Sequence, residues 1–211
     1  MCDQCDCGCN CDGNCHECGY ELVEGPIVGQ RLPSMILNAY QNHDIKPVEL
    51  TSYKGKWLAM VFYPADFTFV CPTELEDLAT LYADFQEQGA EVVSVSTDTA
   101  FAHLAWHNLS PAVGKVQFPM LADPTGDLAR ALNVYLEDEG LALRASFIID
   151  PEGVIQTQEV HASGIGRSGA ELLRKLKAAK FVYEHGGEVC PANWKPGAKT
   201  LHPGSDLVGK L

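Results

Sequence analysis

The sequence predicts an α/β sandwich, and three features predict it. Trp57-Leu58-Ala59-Met60-Val61-Phe62-Tyr63 is a continuous apolar run of strand length, as expected of a strand buried on both faces. Behind it, Leu75, Leu78, Tyr82 and Phe85 recur at helical spacing in a segment that ends at Gly89. Farther along, strand-like and helix-like stretches keep alternating, and two strands meet at Asp150-Pro151-Glu152-Gly153, a hairpin turn by composition. Periodicity does not reveal the order of strands in the sheet.

Taken in order, residues 1–20 stand apart. Cys2, Cys5, Cys7, Cys9, Cys11, Cys15 and Cys18 sit among Asp, Gly and Asn, with too few apolar residues for a core. This extension is expected to be disordered unless a ligand organises it. Leu22 to Gly29 reads as a short opening strand and turn, and Tyr40 to Leu50 as a weak hairpin turning at Asn42-His43-Asp44. After the central strand and its helix, Glu91 to Thr97 alternates as a strand, and Ala100 to Asn108 reads as a helix entered from Asp98-Thr99. Val116 to Met120 is a short strand, and Asp127 to Leu132 a short helix behind the turn Asp123-Pro124-Thr125-Gly126. Leu143 to Asp150 and Val154 to His161 form the closing hairpin. Ser168-x-x-Glu171 is a capping box that opens a helix to about Phe181, with Leu172, Leu173, Leu176 and Ala179 on one face. The remainder, rich in Gly, Pro and Lys, reads as an extended arm. The chain thus divides into a Cys-rich extension (1–20), an α/β domain (21–180) and a C-terminal arm (181–211).

A chain of 211 residues with 46% hydrophobic content suits one domain with a sizeable core. Net charge is −13; the first twenty residues hold Asp3, Asp6, Asp12 and Glu17 against no Lys or Arg, so the rest still carries −9. That charge makes nucleic acid and anionic membrane poor partners. No apolar run reaches membrane-spanning length, and the N-terminus lacks a basic region and an apolar signal core, so a cytoplasmic location is expected. Thiols stay reduced there, and nine cysteines point to redox chemistry or metal before structural disulfides.

Pro72 fits the first helical position, where a missing N–H costs nothing, and this places Cys71 at the tip of the helix. Unpaired amides and the positive end of the helix dipole favour a thiolate there, and the thiolate is the nucleophile. Position alone leaves two readings, a reactive thiol or a small buried hydrophobe. Thr68 is placed to turn a hydroxyl toward the sulfur, and Pro64 and Pro72 stiffen the loop. No second cysteine stands at Cys-x-x-Cys spacing from Cys71, which excludes a thioredoxin-style dithiol at this helix. Arg144 by itself reads as a solvated charge at a strand start, and Glu74 as an ordinary first-turn acid. Cys190, in a polar arm, does not look like a core cysteine. The seven histidines are scattered and suggest no role, while Trp57 and Trp106 read as core.

Pro64-x-x-x-Thr68-x-x-Cys71 resembles the active-site pattern of the peroxiredoxin family. The longer string from Phe62 to Leu75 is similar to the typical two-cysteine subgroup, and within it to the alkyl hydroperoxide reductase C type. Ser94 to Thr99, Arg144 to Pro151, Gly187 to Trp194 and Asp206 to Leu211 agree with it, and the likeness covers the chain from about Val23 onward. The resemblance implies a thioredoxin-like fold with the family's extra N-terminal elements. It also implies a peroxidase for hydrogen peroxide and organic hydroperoxides with no cofactor in the catalytic step. Under it, Cys71 is the peroxidatic cysteine, Thr68 touches sulfur and peroxide, Pro64 shields the thiolate, Arg144 is the active-site arginine and Glu74 helps hold that arginine. Cys190 becomes the resolving cysteine, supplied by the partner protomer of a homodimer that assembles into a decameric ring. A flavoprotein disulfide reductase or thioredoxin is the implied reductant. A metal-binding, thiol-buffering protein and a holdase ring on the same fold are the rival readings.

In the extension, Cys2-x-x-Cys5 and Cys15-x-x-Cys18 look like metal knuckles, but three Cys-x-Cys steps fill a gap shorter than that of zinc ribbons. Such spacing suits a thiolate cluster for zinc or copper(I). A thiol-rich tail without metal and a disulfide relay are the alternatives.

Overall fold

The computed structural model describes Gly25 and residues 27–210. The cysteines of the extension lie outside the described residues, as do Leu22 to Glu24 of the expected opening strand. Val28 and Gly29 make the expected turn. The next elements are a hairpin, β1 (Ile36–Gln41) and β2 (Asp44–Glu49), with Gln41 opposite Asp44. Asn42 and His43 turn it with φ of 51° and 62°, the left-handed pair that a two-residue hairpin loop needs. The hairpin opens at Ile36 rather than Tyr40, because Asn38 to Tyr40 gain a second partner strand from much later in the chain.

The central strand β3 (Trp57–Phe62) is buried at every position. Trp57, Ala59 and Val61 face one core, and Leu58, Met60 and Phe62 face the other. This explains why its sequence shows no alternation. It leads to α1 (Cys71–Glu87), which packs Leu75, Leu78, Tyr82 and Phe85 inward and stops where Gly89 takes φ 73°. Cys71 itself is the first helical residue and Pro72 the second, one place later than the sequence suggested. Next come β4 (Ala90–Ser96) and α2 (Ala100–Leu109), whose cap Thr99 accepts a hydrogen bond from the Ala102 amide.

The strand expected at Val116 to Met120 is instead β5 (Met120–Ala122). Phe118 turns into the core against Tyr82, with ring centroids 5.6 Å apart, and Pro119 has no N–H for a ladder. Pairing therefore starts at Met120, opposite Ser94. Beyond α3 (Asp127–Ala131), the two-residue strands β6 (Tyr135–Leu136) and β7 (Leu141–Ala142) are too short to show any period in sequence. The closing hairpin is β8 (Arg144–Ile149) and β9 (Ile155–His161); Asp150 Oδ1 accepts from the amides of Glu152 and Val154 in its turn. The last helix, α4 (Gly169–Glu184), runs three residues past Phe181. Only half of its capping box forms: Ser168 Oγ accepts from the Glu171 amide, while the Glu171 carboxylate is taken by Arg174.

Seven strands make one sheet in the order β2-β1-β5-β4-β3-β8-β9. The pairs β3–β4 and β4–β5 run parallel, the others antiparallel. Buried residues of α1, α2 and α4 fill the core on one face, and α3 with Ile27 and Leu37 fills the other. The layered fold carries the loop Tyr63–Val70 and the start of α1 at the carboxyl end of β3, beside the start of the antiparallel β8.

The arm is less extended than its composition suggests. Val189 and Leu201 exchange two backbone hydrogen bonds, and Trp194 is buried against Phe181 of α4 with ring centroids 4.9 Å apart. Among the described residues, no helix is long and apolar enough to cross a membrane.

Candidate active site

Cys71 opens α1 and is fully buried. The Thr73 and Glu74 amides turn back to the Val70 carbonyl, so the first turn closes beneath the sulfur. Arg144, the first residue of β8, reaches it because β8 runs antiparallel beside β3 and begins where β3 ends. Its Nη1 lies 3.3 Å from Cys71 Sγ and 2.7 Å from Glu74 Oε2, and its Nε donates to the Ser163 carbonyl at 2.7 Å. Only 3% of Arg144 is exposed, which removes the surface-charge reading.

Glu74 stands one helical turn below Cys71 and is also buried. It binds a second arginine that the sequence did not mark. The Arg167 amide and Nε each donate to Glu74 Oε1 at 2.8 Å, and Nη2 donates to Oε2 at 3.1 Å. Arg167 Nη1 continues to the Ala145 carbonyl and Ser146 Oγ. Burial pushes the Glu74 carboxyl up, but the Arg167 hydrogen bonds and the charges of Arg167 and Arg144 outweigh it and hold it below the usual carboxylate range. One carboxylate thus carries two guanidinium groups, and the pair leaves positive charge facing the sulfur.

The structure brings Cys71, Glu74 and Arg144 together. Pro64 is buried at the end of β3, and Thr68 is half-buried, its hydroxyl donating to the Ala65 carbonyl at 2.9 Å. Between Pro64 and Thr68 the backbone is unusual: Phe67 takes φ 56°, a left-handed conformation that costs a bulky residue free energy. Cys190 lies elsewhere. It sits in a groove with Gln156, Thr157, Arg174, Ala178 and Val182, none of them part of the Cys71 cluster. Its thiol points to the Ala178 carbonyl at 3.8 Å. Burial pushes the Cys190 thiol up, and the nearby Arg174 charge offsets only part of that.

Arg167 escaped the sequence because nothing local distinguishes it; its partner Glu74 is 93 residues away. His103, one of the seven scattered histidines, is fully buried and paired with Asp66. No group of three or more metal-ligating side chains occurs among the described residues. The seven cysteines of the extension lie outside them.

Fold and site together define the class, a thioredoxin-like α/β protein in which Cys71, the one buried cysteine among the described residues, is held under an arginine. The family model described as AhpC/TSA family matches residues 28–158, and one described as the C-terminal domain of 1-Cys peroxiredoxin matches residues 178–210. Alkyl hydroperoxide reductase C of Pseudomonas aeruginosa is 52% identical over 185 residues, which are 88% of this chain and 99% of that protein. Among solved structures, Enterococcus faecalis AhpC superposes with a TM-score of 0.77 at 47% identity, covering 79% of this chain and 100% of that one. The reduced 2-Cys peroxiredoxin of Plasmodium vivax gives 0.79 at 34% identity, covering 83% and 93%. The chain belongs to the AhpC/TSA family of peroxiredoxins.

Proposed function

We propose that the chain is a thiol-dependent peroxidase that reduces hydrogen peroxide and organic hydroperoxides through Cys71 and Cys190. The observation that carries this reading is the guanidinium of Arg144 at 3.3 Å from the Cys71 sulfur, inside a buried cluster completed by Glu74. Arg144 cannot lose its proton, so it supplies a fixed charge and fixed donors where a thiolate attacks and an oxyanion leaves.

In the first step the Cys71 thiolate attacks one peroxide oxygen. The S–O bond forms, the O–O bond breaks, and the leaving alkoxide or hydroxide takes a proton to become alcohol or water. Thr68 is assigned to orient the peroxide and Pro64 to keep water from the thiolate. In the second step Cys190 of a second protomer attacks the Cys71 sulfenic acid; an S–S bond forms and the S–O oxygen leaves as water. Cys71 is buried and its own Cys190 lies in a separate groove, which supports a partner protomer as the source and an opening of the first turn of α1. Val70, at the cap position, has no side-chain acceptor to hold that turn closed. A dithiol reductase, a flavoprotein or thioredoxin, then returns both thiols. A homodimer grouped into a decameric ring and a cytoplasmic location complete the reading.

The Cys-rich extension is assigned a separate role, holding zinc or copper(I) by thiolates. The catalytic step uses no metal, so a variant that starts at Gly19 should keep peroxide turnover and lose any bound metal.

The direct test is peroxide consumption by wild type, Cys71→Ser and Cys190→Ser. Cys71→Ser should lose roughly a thousandfold or more in rate. Cys190→Ser should consume one equivalent and stop at sulfenic or higher oxidation states, with no reducible dimer on denaturing gels. Normal cycling of Cys190→Ser with its reductant would give the resolving role to another thiol.

A further inference from the structure

Below the loop that leads to Cys71 lies a buried polar cluster that the mechanism leaves unused. Asp66, in the middle of the segment Pro64–Val70, has a side chain with no exposure. Its Oδ1 accepts from the Tyr63 hydroxyl at 2.8 Å and its Oδ2 meets His103 Nδ1 at 2.8 Å. The Asp66 amide donates to Asp98 Oδ2 at 2.8 Å, and Ser96 Oγ steadies that carboxylate at 2.7 Å. His103, on α2, is fully buried, and its Nε2 faces the Leu121 carbonyl of β5 at 3.2 Å. Each ring nitrogen therefore has an oxygen within hydrogen-bond distance, so the ring is held from both sides. One turn along the same face, Trp106 packs at a tilt against Tyr63 and Phe67, with centroids 6.0 Å and 5.9 Å away.

The grip falls at a telling place. The residue after Asp66 is Phe67, with its strained φ of 56°, and the next is Thr68. A left-handed phenylalanine persists only where its surroundings over-determine it. Asp66 is fixed through both carboxylate oxygens and its amide, so the chain enters the strained residue from a single position.

We propose that His103 is a positioning residue for the peroxide step: through Asp66 it clamps the loop at its midpoint and so holds Thr68 in register with Cys71. The proposal rests on the peroxidase reading above and deepens it. His103 touches neither sulfur nor peroxide and acts through the loop. Arg144 and Glu74 come from other elements, so the clamp governs where the peroxide sits and not how the sulfur is charged. A buried pair that only stabilised the core would have no reason to act on one step of the reaction.

Two near-isosteric substitutions separate the clamp from mere filling of space. His103→Asn puts an amide N–H where Nδ1 stood and keeps the Asp66 bond; His103→Gln reaches the Leu121 carbonyl and gives up Asp66. The rate constant of reduced Cys71 with hydrogen peroxide is measured by stopped-flow tryptophan fluorescence. Alkylation by iodoacetamide, which needs the thiolate but no peroxide site, is measured beside it. His103→Gln should slow the peroxide step about tenfold with alkylation unchanged, while His103→Asn stays near wild type. Asp66→Ala should follow His103→Gln, and it carries the test if His103→Gln does not fold. A wild-type peroxide rate in His103→Gln or Asp66→Ala overturns the clamp, as does an equal fall in His103→Asn. Alkylation falling in step with the peroxide rate also overturns it, since the effect would then lie on the sulfur. A wild-type chain that consumes no peroxide overturns the peroxidase reading and the clamp with it.

Discussion

The two cysteines of the described chain sit in surroundings of opposite character. Around Cys71, the start of α1, the start of β8 and Arg167 ahead of α4 meet in a cluster where every charged side chain is buried and bonded several times. Around Cys190, the groove is lined by α4, by Gln156 and Thr157 of β9 and by the arm, and within the arm's described residues Trp194 alone is buried. A pair of backbone bonds at Val189–Leu201, the Trp194 contact and one bond from Arg174 to the Trp194 carbonyl hold this region in place. The contrast matches the two roles proposed for these thiols. A thiol that must meet a small substrate in fixed geometry requires a preorganised pocket. A thiol that must reach another protomer requires an attachment that opens at low free energy, as sparsely packed segments do.

The sharpest way to break this contrast is to remove the charge from the rigid side. Arg144→Met keeps bulk and discards the fixed donors, and the peroxide rate should fall roughly a hundredfold. Alkylation of Cys190 by the same reagent should not change. An unaltered peroxide rate would return Arg144 to a structural role.

Glu74→Gln tests whether the rigid side owes its order to the double ion pair. Breaking one partner of a buried pair should destabilise the fold by about 3 kcal/mol, read from denaturant midpoints. The pH dependence has a definite sign. The folded-state carboxyl lies below its ordinary value, so its stabilisation is complete above the ordinary carboxylate range and is lost as pH falls through the lowered value. Wild type should lose stability on that acid limb, and Glu74→Gln should lose less of it. Parallel acid limbs in the two proteins would show that Glu74 contributes nothing.

The smallest effect belongs to the arm. Trp194→Ala removes the one buried anchor, so limited proteolysis between Gly186 and Lys199 should speed up about tenfold while the core melts where it did. Reaction of Cys71 with its first peroxide should be unchanged. A core that melts lower by several degrees would mean that the arm and the domain unfold as one unit, and the contrast would fail. The Cys190 thiol is raised by burial, so disulfide formation in wild type should keep accelerating as pH rises through and beyond the ordinary thiol range.

Particular residues show what was legible. The strand at Trp57, the helix behind Cys71, the turn at Asn42-His43 and the closing hairpin followed from local signals that act within a few residues. Its place at a helix tip made Cys71 a candidate and left two readings open; the family resemblance singled it out together with Arg144 and Cys190. Spacing carried no sign that Arg144 is buried, since an arginine at a strand start is usually solvated. Arg167 and His103 were invisible. Each owes its meaning to a carboxylate 93 or 37 residues away, and only the packing of the start of α4 against α1 and of α2 under the loop creates those pairs.

By itself, then, the sequence determined the alternation of elements and the apolar faces and placed a candidate thiol at a helix tip, because backbone preferences and hydrophobic periodicity are local. The tertiary structure alone decided the strand order, the double arginine grip on Glu74, the clamp on Asp66 and the separation of Cys190 from Cys71 within one chain. Those features are long-range meetings of polar groups. Burial makes each of them costly to leave unpaired, and the sheet topology selects which partner arrives.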